Sequence, residues 1–133
     1  MKVLSLKEPF ASLIKEGKKK IETRSWRTHY RGELYIHASS TKIPNEWRDD
    51  EKLMSIVGDI PFNYGNIICK CVLEDCILMT NEFVEDMRKN NYQEYVCGMY
   101  KEGRYAWILK DIQPLKEPIK AKGKLNVWEF TPS

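Results

Sequence analysis

A charged stretch near the amino terminus, residues 17–27, has the residue types and spacing that could support chemistry. It begins at Gly17, continues through three lysines, and then alternates charged residues with apolar or small ones as far as Arg27. Residues two apart on a β-strand share a face, so this strand presents a polar face made of Lys20, Glu22, Arg24 and Trp26. A carboxylate between cations is stabilised as the anion, and cations beside an exposed indole suit a phosphate and a stacked base. The plain alternative is an exposed amphipathic strand whose charges are only solvated.

The spacing within this stretch contains a geometric conflict. Lys19 and Glu22 are three residues apart, so a regular strand places them on opposite faces, whereas Glu22 and Arg24 share a face. One cleft can receive all three side chains only if the chain bends after Gly17, where a glycine permits unusual backbone angles. We therefore predict that Lys19 precedes regular strand pairing and that its ammonium reaches the Glu22 carboxylate. In the alternative arrangement, Lys20 is the partner of Glu22 and Lys19 is solvated.

The same three side chains suit hydrolysis and binding equally well. A lysine that acts as a nucleophile or base needs a lowered pKa, which burial or neighbouring cations can supply. Glu22 could act as a general base if it is partly buried. Arg24 could hold a phosphate or carboxylate in a bidentate clamp. The residues alone therefore leave both functions open.

Composition limits the class of protein. The 133 residues are 42% hydrophobic, so we expect a single folded domain over 1–133 with a real core. The net charge of +3 is too mild to require a nucleic-acid partner. Lysine and arginine nevertheless outnumber the two glutamates within 15–31, and a local basic patch can matter more than the total. The amino-terminal run is too short for a signal peptide and no apolar run approaches a membrane span, so we expect a cytoplasmic protein with no membrane partner.

The four cysteines do not form a metal-binding pattern. Cys69 and Cys71 share one face of an apolar strand, and their spacing is not the C-x-x-C of a zinc knuckle. Since no histidine pair completes a site, we interpret all four cysteines as free thiols in the core. We expect neither a metal ion nor another cofactor.

Periodicity predicts short strands with helices between them. The clearest strand is 33–39, where apolar and polar residues alternate strictly. The most apolar strand, 66–79, carries Glu74 and Asp75 in its middle, which indicates a bend or bulge. The other predicted strands are 2–6, 19–26, 105–109, 111–115 and 124–130. The predicted helices start near Pro9, span 41–56, and run from the Thr80 cap to Asn90, whereas 92–103 is expected to be irregular and Pro114 and Pro118 to mark a turn.

This element order predicts a mixed α/β (α+β) fold. We expect a small β-barrel of about five to seven strands with two or three peripheral helices, and with strands at both ends of the chain. A doubly wound α/β fold requires a more regular alternation of strands and helices than the sequence provides.

Several runs along the chain carry a family resemblance. The early runs are residues 4–14, Gly17-x-Lys19, Glu22-x-Arg24-Ser25-Trp26, Tyr30-Arg31-Gly32 and Ile36-His37-Ala38-Ser39. The later runs are Gly65-x-Ile67-Ile68, Leu73-x-Asp75-Cys76, Tyr105-Ala106-Trp107-x-Leu109, residues 118–123 and Val127-Trp128. Together they resemble the ASCH domain, the activating signal cointegrator homology family, whose barrel is similar to that of PUA domains. The resemblance covers nearly the whole chain, and the family pattern G-x-K-x-x-E-x-R falls on Gly17, Lys19, Glu22 and Arg24.

The resemblance implies a role related to RNA or DNA. Some family members are amidohydrolases that remove acetate from N4-acetylcytidine with a lysine, a threonine and a glutamate, and others are ribonucleases. In this chain the lysine falls at Lys19, but the threonine position falls at Glu22, which has no hydroxyl group. Thr23 is adjacent, and on a strand it faces the opposite way. The chain is therefore more similar to family members that carry glutamate at this position.

These observations define a candidate site for RNA, a nucleotide or a modified nucleoside. The catalytic candidates are Lys19 and Glu22. The ligand-binding candidates are Ser5, Lys7, Pro9, Arg24, Ser25, Trp26, Arg27, His37, Trp107 and Lys122. Structural roles remain open for His37 and Trp107, and Lys122-Gly123 is either a second basic loop or a plain turn. Two functions follow: a nucleic-acid or nucleotide-binding module without catalysis, or a small hydrolase that acts on a modified nucleoside or on RNA.

Overall fold

The computed structural model describes residues 1–132 and shows one six-stranded sheet. The strands are β1 (Lys2–Leu6), β2 (Ile21–Arg24), β3 (Gly32–Ala38), β4 (Asn66–Leu78), β5 (Tyr105–Lys120) and β6 (Val127–Glu129). Their order across the sheet is β2-β5-β4-β3-β1-β6, and only the β1–β3 pair is parallel. The sheet curls into a half-barrel. The α+β, barrel-like fold class is confirmed, with strands near both ends of the described chain.

Within residues 1–132 five helices accompany the sheet, where two or three were expected. They are α1 (Phe10–Lys15), α2 (Asn45–Arg48), α3 (Glu51–Val57), α4 (Asn81–Asn90) and α5 (Tyr92–Val96). The predicted helix over 41–56 is wrong in detail, because it breaks into α2 and α3. Asp50 causes the break, since its side chain accepts a hydrogen bond from the Leu53 N–H at 3.0 Å and caps α3. The stretch predicted as irregular contains α5, and the Thr80 cap of α4 is confirmed by its 3.1 Å bond from the Phe83 N–H.

The long β4–β5 hairpin corrects a second prediction. The expected bulge at Glu74 is present, because the register shifts between Leu73 and Asp75. Pro114 and Pro118, however, lie inside β5 rather than in a turn between strands. The register jumps from Cys69 opposite Pro114 to Ile67 opposite Ile119, so the prolines occupy an irregular stretch within one strand. A proline has no N–H to donate to the ladder, which is why it interrupts pairing without ending the strand.

The main core lies between α1 and the concave side of the curled sheet. The alternation predicted for 33–39 is confirmed on that side, where Leu34, Ile36 and Ala38 are fully buried. Burial raises the pKa of the Cys69 and Cys71 thiols to about 12 and that of Cys97 to about 11, so these three cysteines are neutral apolar side chains. Cys76 is a free thiol that is only half-buried.

Within residues 1–132 no cluster of three or more histidine, cysteine or carboxylate side chains could hold a metal ion. No helix in that part of the chain is long and apolar enough to cross a membrane.

Candidate functional site

The turn between α1 and β2 places Lys19 before regular strand pairing begins. The backbone N–H groups of Lys18 and Lys19 both donate to the Leu13 carbonyl, at 2.9 and 3.2 Å. Gly17 adopts a φ of +77°, a left-handed conformation that a glycine enters without a steric penalty. Pairing with β5 then starts at Ile21, so the Lys19 side chain turns inward instead of following the strand alternation.

The Lys19 ammonium is fully buried and its donors are engaged. The side chain is 0% exposed, and Nζ donates to the Cys97 carbonyl at 2.5 Å and to the Ile21 carbonyl at 2.6 Å. It lies 3.6 Å from Glu22 Oε1 and 5.3 Å from the centre of the Phe10 ring. The predicted approach of Lys19 to Glu22 is therefore present. Since the side-chain nitrogen donates to two carbonyls and faces a carboxylate, its hydrogen atoms are committed to protein partners, and the geometry favours a positioning role for Lys19.

Glu22 and Arg24 form an ion pair at the opening of the half-barrel. Arg24 Nε lies 2.9 Å from Glu22 Oε2, although the N–H is not aligned with that oxygen and the contact is ionic only. Arg24 Nη2 donates to the Ser5 carbonyl at 3.0 Å. Since Ser5 belongs to β1, near the opposite edge of the sheet, this bond joins the two sides of the opening. The alternative in which Lys20 pairs with Glu22 is not observed, because Lys20 is exposed.

Glu94, which sequence reasoning missed, holds the start of β2. Its carboxylate accepts hydrogen bonds from the Lys20 N–H at 2.6 Å and the Ile21 N–H at 3.3 Å. Burial raises the pKa of Glu94, and the nearby Lys19 cation and the two backbone N–H groups only partly offset that effect. Glu94 is 74 residues from Lys20, and no local motif signals a contact over that separation.

The segment that carries Glu94 covers the free edge of β2. Gln93 donates to the Lys18 carbonyl at 3.0 Å, and the Met99 N–H donates to Thr23 Oγ1 at 2.9 Å. Arg104 Nη2 donates to the Thr23 carbonyl at 3.3 Å. The contacts from 93 to 104 therefore satisfy backbone and side-chain groups along β2 in place of a neighbouring strand.

A cleft of about 830 Å³ lies between two walls. The first, which we call the β2 wall, consists of residues 22–26 with Cys97, Gly98, Met99 and Arg104. The second, which we call the loop wall, consists of residues 5–7, His37, residues 39–41 and residues 122–126. Phe10, Trp47, Asp50, Leu53 and Val96 line the end of the cleft. The cleft therefore follows the opening of the half-barrel that Arg24 bridges.

His37 anchors the loop wall through a hydrogen-bond chain. Its Nε2 lies 2.8 Å from the Ala121 carbonyl, which can only accept, so Nε2 carries a proton. In the neutral ring Nδ1 then accepts from the Ser5 hydroxyl at 2.9 Å, and Ser5 Oγ accepts from Trp128 Nε1 at 3.0 Å. A Cβ atom on Gly123 would lie only 2.9 Å from His37 Cε1 and Ser5 Oγ, so this position requires glycine. Both ring nitrogens of His37 therefore have hydrogen-bond partners within the protein.

The cleft gathers most of the predicted site residues but not all of them. Those that line it are Ser5, Lys7, Glu22, Arg24, Ser25, Trp26, His37 and Lys122. Lys19 lies behind the β2 wall, and Pro9 is buried at the start of α1. Arg27 lies over the Tyr105 ring at 5.4 Å, away from the cleft. Trp107 is fully buried and packs edge-on against Trp26 with ring centres 4.8 Å apart, so it supports a cleft residue.

Sequence reasoning also missed several lining residues. Lys124 and Leu125 lie one and two positions beyond the Lys122-Gly123 pair that was singled out. Arg104, Phe10 and Trp47 come from three separate segments. Phe10 and Trp47 pack edge to face at 4.8 Å, and their helical spacing had indicated core positions only.

A curled, mostly antiparallel sheet with a cleft across its opening defines the class as a small barrel-like α+β domain. The chain belongs to the ASCH domain family, whose profile matches residues 4–119. The predicted family membership is therefore confirmed, and with it a broadly RNA-related assignment.

Two kinds of relatives support this placement. The mouse and human proteins called activating signal cointegrator 1 are each 25% identical to this chain over 130 residues. The match covers 96% of this chain but only 22% of each relative, so the chain spans about a fifth of their length. Among solved structures, an ASCH protein from Zymomonas mobilis and its tyrosine-to-phenylalanine mutant superpose with a TM-score of 0.54 at 20% identity. The matched region covers 90% of this chain in both cases. It covers 72% of the Zymomonas protein and 74% of its mutant, which shows a shared fold.

Proposed function

We propose that this protein binds RNA, or nucleotide units of RNA, in the cleft between the β2 wall and the loop wall. The observation that carries the proposal is the balance of charge in the cleft. Its basic lining residues are Lys7, Arg24, Arg104, Lys122 and Lys124, and its acidic lining residues are Glu22 and Asp50. Both acids are already engaged, because Glu22 contacts Lys19 and Arg24 and Asp50 caps α3. An anionic ligand is therefore favoured over a cationic one.

Aromatic side chains in the same cleft support a ligand that contains bases. Trp26, Phe10 and Trp47 line the cleft and are each partly exposed. Trp26 is held in place by its edge-on contact with the buried Trp107. A fixed aromatic ring beside cations is the arrangement on which single-stranded nucleic acids stack their bases.

A hydrolase is the second candidate function, and one contact favours it. The Glu22 carboxylate lines the cleft and is held between the Lys19 ammonium and the Arg24 guanidinium. In this reading Glu22 takes the proton from an attacking water, and Lys19 positions the carboxylate. The enclosure of the Lys19 nitrogen, which donates to two carbonyls behind the β2 wall, argues against lysine itself as the base. The substrate is then a modified nucleoside such as N4-acetylcytidine, or RNA.

A single set of measurements tests both functions. Fluorescence anisotropy with short single-stranded RNA should show binding that weakens as salt rises. Arg24→Ala should weaken it, whereas Lys89→Ala, an exposed lysine on α4 outside the cleft, should not. Turnover of N4-acetylcytidine and cleavage of RNA should be followed in the same samples, with Glu22→Gln as the test of the base.

The outcomes separate the candidates. Binding without turnover supports the binding module. Turnover that Glu22→Gln abolishes establishes the hydrolase. Equal loss of RNA binding in Arg24→Ala and Lys89→Ala would mean diffuse attraction to a basic protein and would overturn the cleft as the site. Thermal unfolding of each variant checks that the fold is intact.

A further inference from the structure

In the described part of the chain, the basic residues of the loop wall lie outside the ion pairs that several other surface cations form. Lys2, Arg31, Lys70, Arg88 and Lys110 each lie within 4.0 Å of a carboxylate. Within residues 1–132, Lys7, Lys122 and Lys124 have no carboxylate at that distance. The loop wall itself contributes no carboxylate to the cleft. Its positive charge is therefore available to a ligand.

The backbone of the same loop is also available. In the described part of the chain, the N–H groups of residues 122–126 donate no hydrogen bond. Residues 122–126 are all exposed, and Leu125 is 88% exposed. Backbone N–H groups and lysine ammonium groups are the donors with which proteins commonly hold phosphate oxygens.

The loop is anchored on both sides of its free donors. The Ala121 N–H donates to the Gly65 carbonyl at 3.1 Å, and the Ala121 carbonyl accepts from His37. Gly123 packs against His37 and Ser5, and the Trp128 indole donates to Ser5 after the loop ends. The donors are thus presented by a held backbone, which lowers the ordering entropy that a bound anion must offset.

We propose that the loop wall is a phosphate subsite, in which Lys122, Lys124 and the backbone N–H groups of residues 122–126 hold the phosphate of a nucleotide unit. The proposal rests on the proposed function and makes it more specific. The ligand is a phosphorylated nucleotide, with its base toward Trp26 on the β2 wall, rather than an uncharged nucleoside. Lys7, on the same wall, adds a third positive charge, and the Thr41 hydroxyl, which accepts from the Ser39 hydroxyl at 3.0 Å, adds a donor. The phosphate is either terminal or an internal phosphodiester.

The test compares ligands that differ only in phosphate. Isothermal titration calorimetry on the full chain uses a nucleoside, its 5′-monophosphate and a short RNA without terminal phosphate, with inorganic phosphate as competitor. The variant is Lys122→Ala/Lys124→Ala. Its matched control is Lys116→Ala/Lys120→Ala, which removes the same charge from exposed positions of β5 outside the cleft.

We expect the loop variant to lose about tenfold in affinity for the phosphorylated ligands at low salt, and to lower the salt slope by about two. Its affinity for the nucleoside should not change, and Lys122→Arg/Lys124→Arg should restore binding of phosphorylated ligands. Tighter binding of the monophosphate than of the RNA indicates a terminal phosphate, and the reverse indicates a phosphodiester.

Two results would overturn the subsite. One is equal affinity for the nucleoside, the monophosphate and the RNA, which leaves the cleft as a base-binding site and refutes only the phosphate assignment. The other is an equal loss in the loop variant and its control. Absence of binding to every ligand by the wild-type protein would refute the proposed function together with the subsite.

Discussion

The two walls of the cleft use the same residue types in opposite ways. On the β2 side, Lys19 is 0% exposed and donates to two carbonyls, and Glu22 lies between Lys19 and Arg24. On the loop wall, Lys122 and Lys124 are exposed. Taking a charge out of water costs several kcal/mol unless it gains partners, so a buried cation is committed to its neighbours. An exposed cation keeps its hydration and can exchange it for a ligand.

The comparison shows that a lysine in a family motif need not line the cleft. Lys19 falls in the most recognisable motif, yet it lies behind the wall of the cleft. Lys124 falls in no motif and lies on its surface. We infer that the β2 side supplies a rigid frame and that the loop wall supplies free donors. Substitutions on each side test whether the frame and the free donors are separate.

The largest loss of stability is expected from Lys19→Met. It leaves the Cys97 and Ile21 carbonyls without their donor and Glu22 without a buried cation. We expect the free energy of unfolding to fall by about 3–5 kcal/mol, as when one partner of a buried ion pair is removed. Urea denaturation measures it, with the exposed Lys20→Met as control. A loss below about 1 kcal/mol would show that Lys19 does not hold the frame.

A smaller effect, with a distinctive pH dependence, is expected from Glu94→Gln. The Glu94 carboxylate accepts hydrogen bonds from two backbone N–H groups, one at each oxygen. The single amide oxygen of the variant accepts only one of them, so the free energy of unfolding should fall by about 1–3 kcal/mol. Burial raises the pKa of Glu94 in the folded state above its ordinary 4.5. At a pH between the ordinary pKa and the raised pKa, the folded state therefore binds more protons than the unfolded state. The wild type therefore loses stability as pH rises through that window, and the variant does not.

The difference in the free energy of unfolding between the wild type and Glu94→Gln should therefore be greatest at acid pH. It should shrink as pH rises above about 4.5. Denaturation across a pH series measures it, and the exposed Glu102→Gln is the control. A difference in the free energy of unfolding that grows as pH rises would contradict the raised pKa of Glu94.

A modest effect is expected from Gly123→Ala on the loop wall. The added methyl would lie 2.9 Å from His37 and Ser5, so the loop must shift away from both. We expect a cost of about 1 kcal/mol, the lower end for an overpacked site, because the atoms that the methyl would meet belong to side chains rather than to the backbone. Thermal unfolding measures the cost, with Lys124→Ala as control. Unchanged stability together with unchanged ligand affinity would show that the anchoring of the loop is unimportant.

The smallest effect is expected from Lys122→Ala. The side chain is exposed and contacts no carboxylate in the described residues, so the free energy of unfolding should stay within about 0.5 kcal/mol of the wild type. Loss of RNA affinity with unchanged stability would sharpen the contrast with Lys19. A stability loss comparable to that of Lys19→Met would contradict the contrast between Lys122 and Lys19.

Local sequence patterns predicted the elements whose environment is uniform along their length. The period-2 alternation of β3 matches its burial because one face of the strand packs against the core throughout. The expected helix over 41–56 split at Asp50, since a short acidic side chain competes for backbone N–H groups. The prolines of β5 indicated a turn, but the long pairing with β4 carries the strand past them. Tertiary pairing overrode the local signal in that case.

The sequence by itself determined the family, the curled barrel-like sheet and the conflict between Lys19 and Glu22. The family follows from the resemblance of its motifs, and the sheet and the conflict follow from periodicity and spacing, which act between near neighbours in the chain. Only the tertiary structure decided that Lys19 is enclosed by Cys97 and that Glu94 holds the start of β2. It alone also decided that residues 122–126 face the motif across the cleft. These contacts join residues about 70 or more positions apart, and they arise from the way the whole sheet curls, which no local spacing encodes.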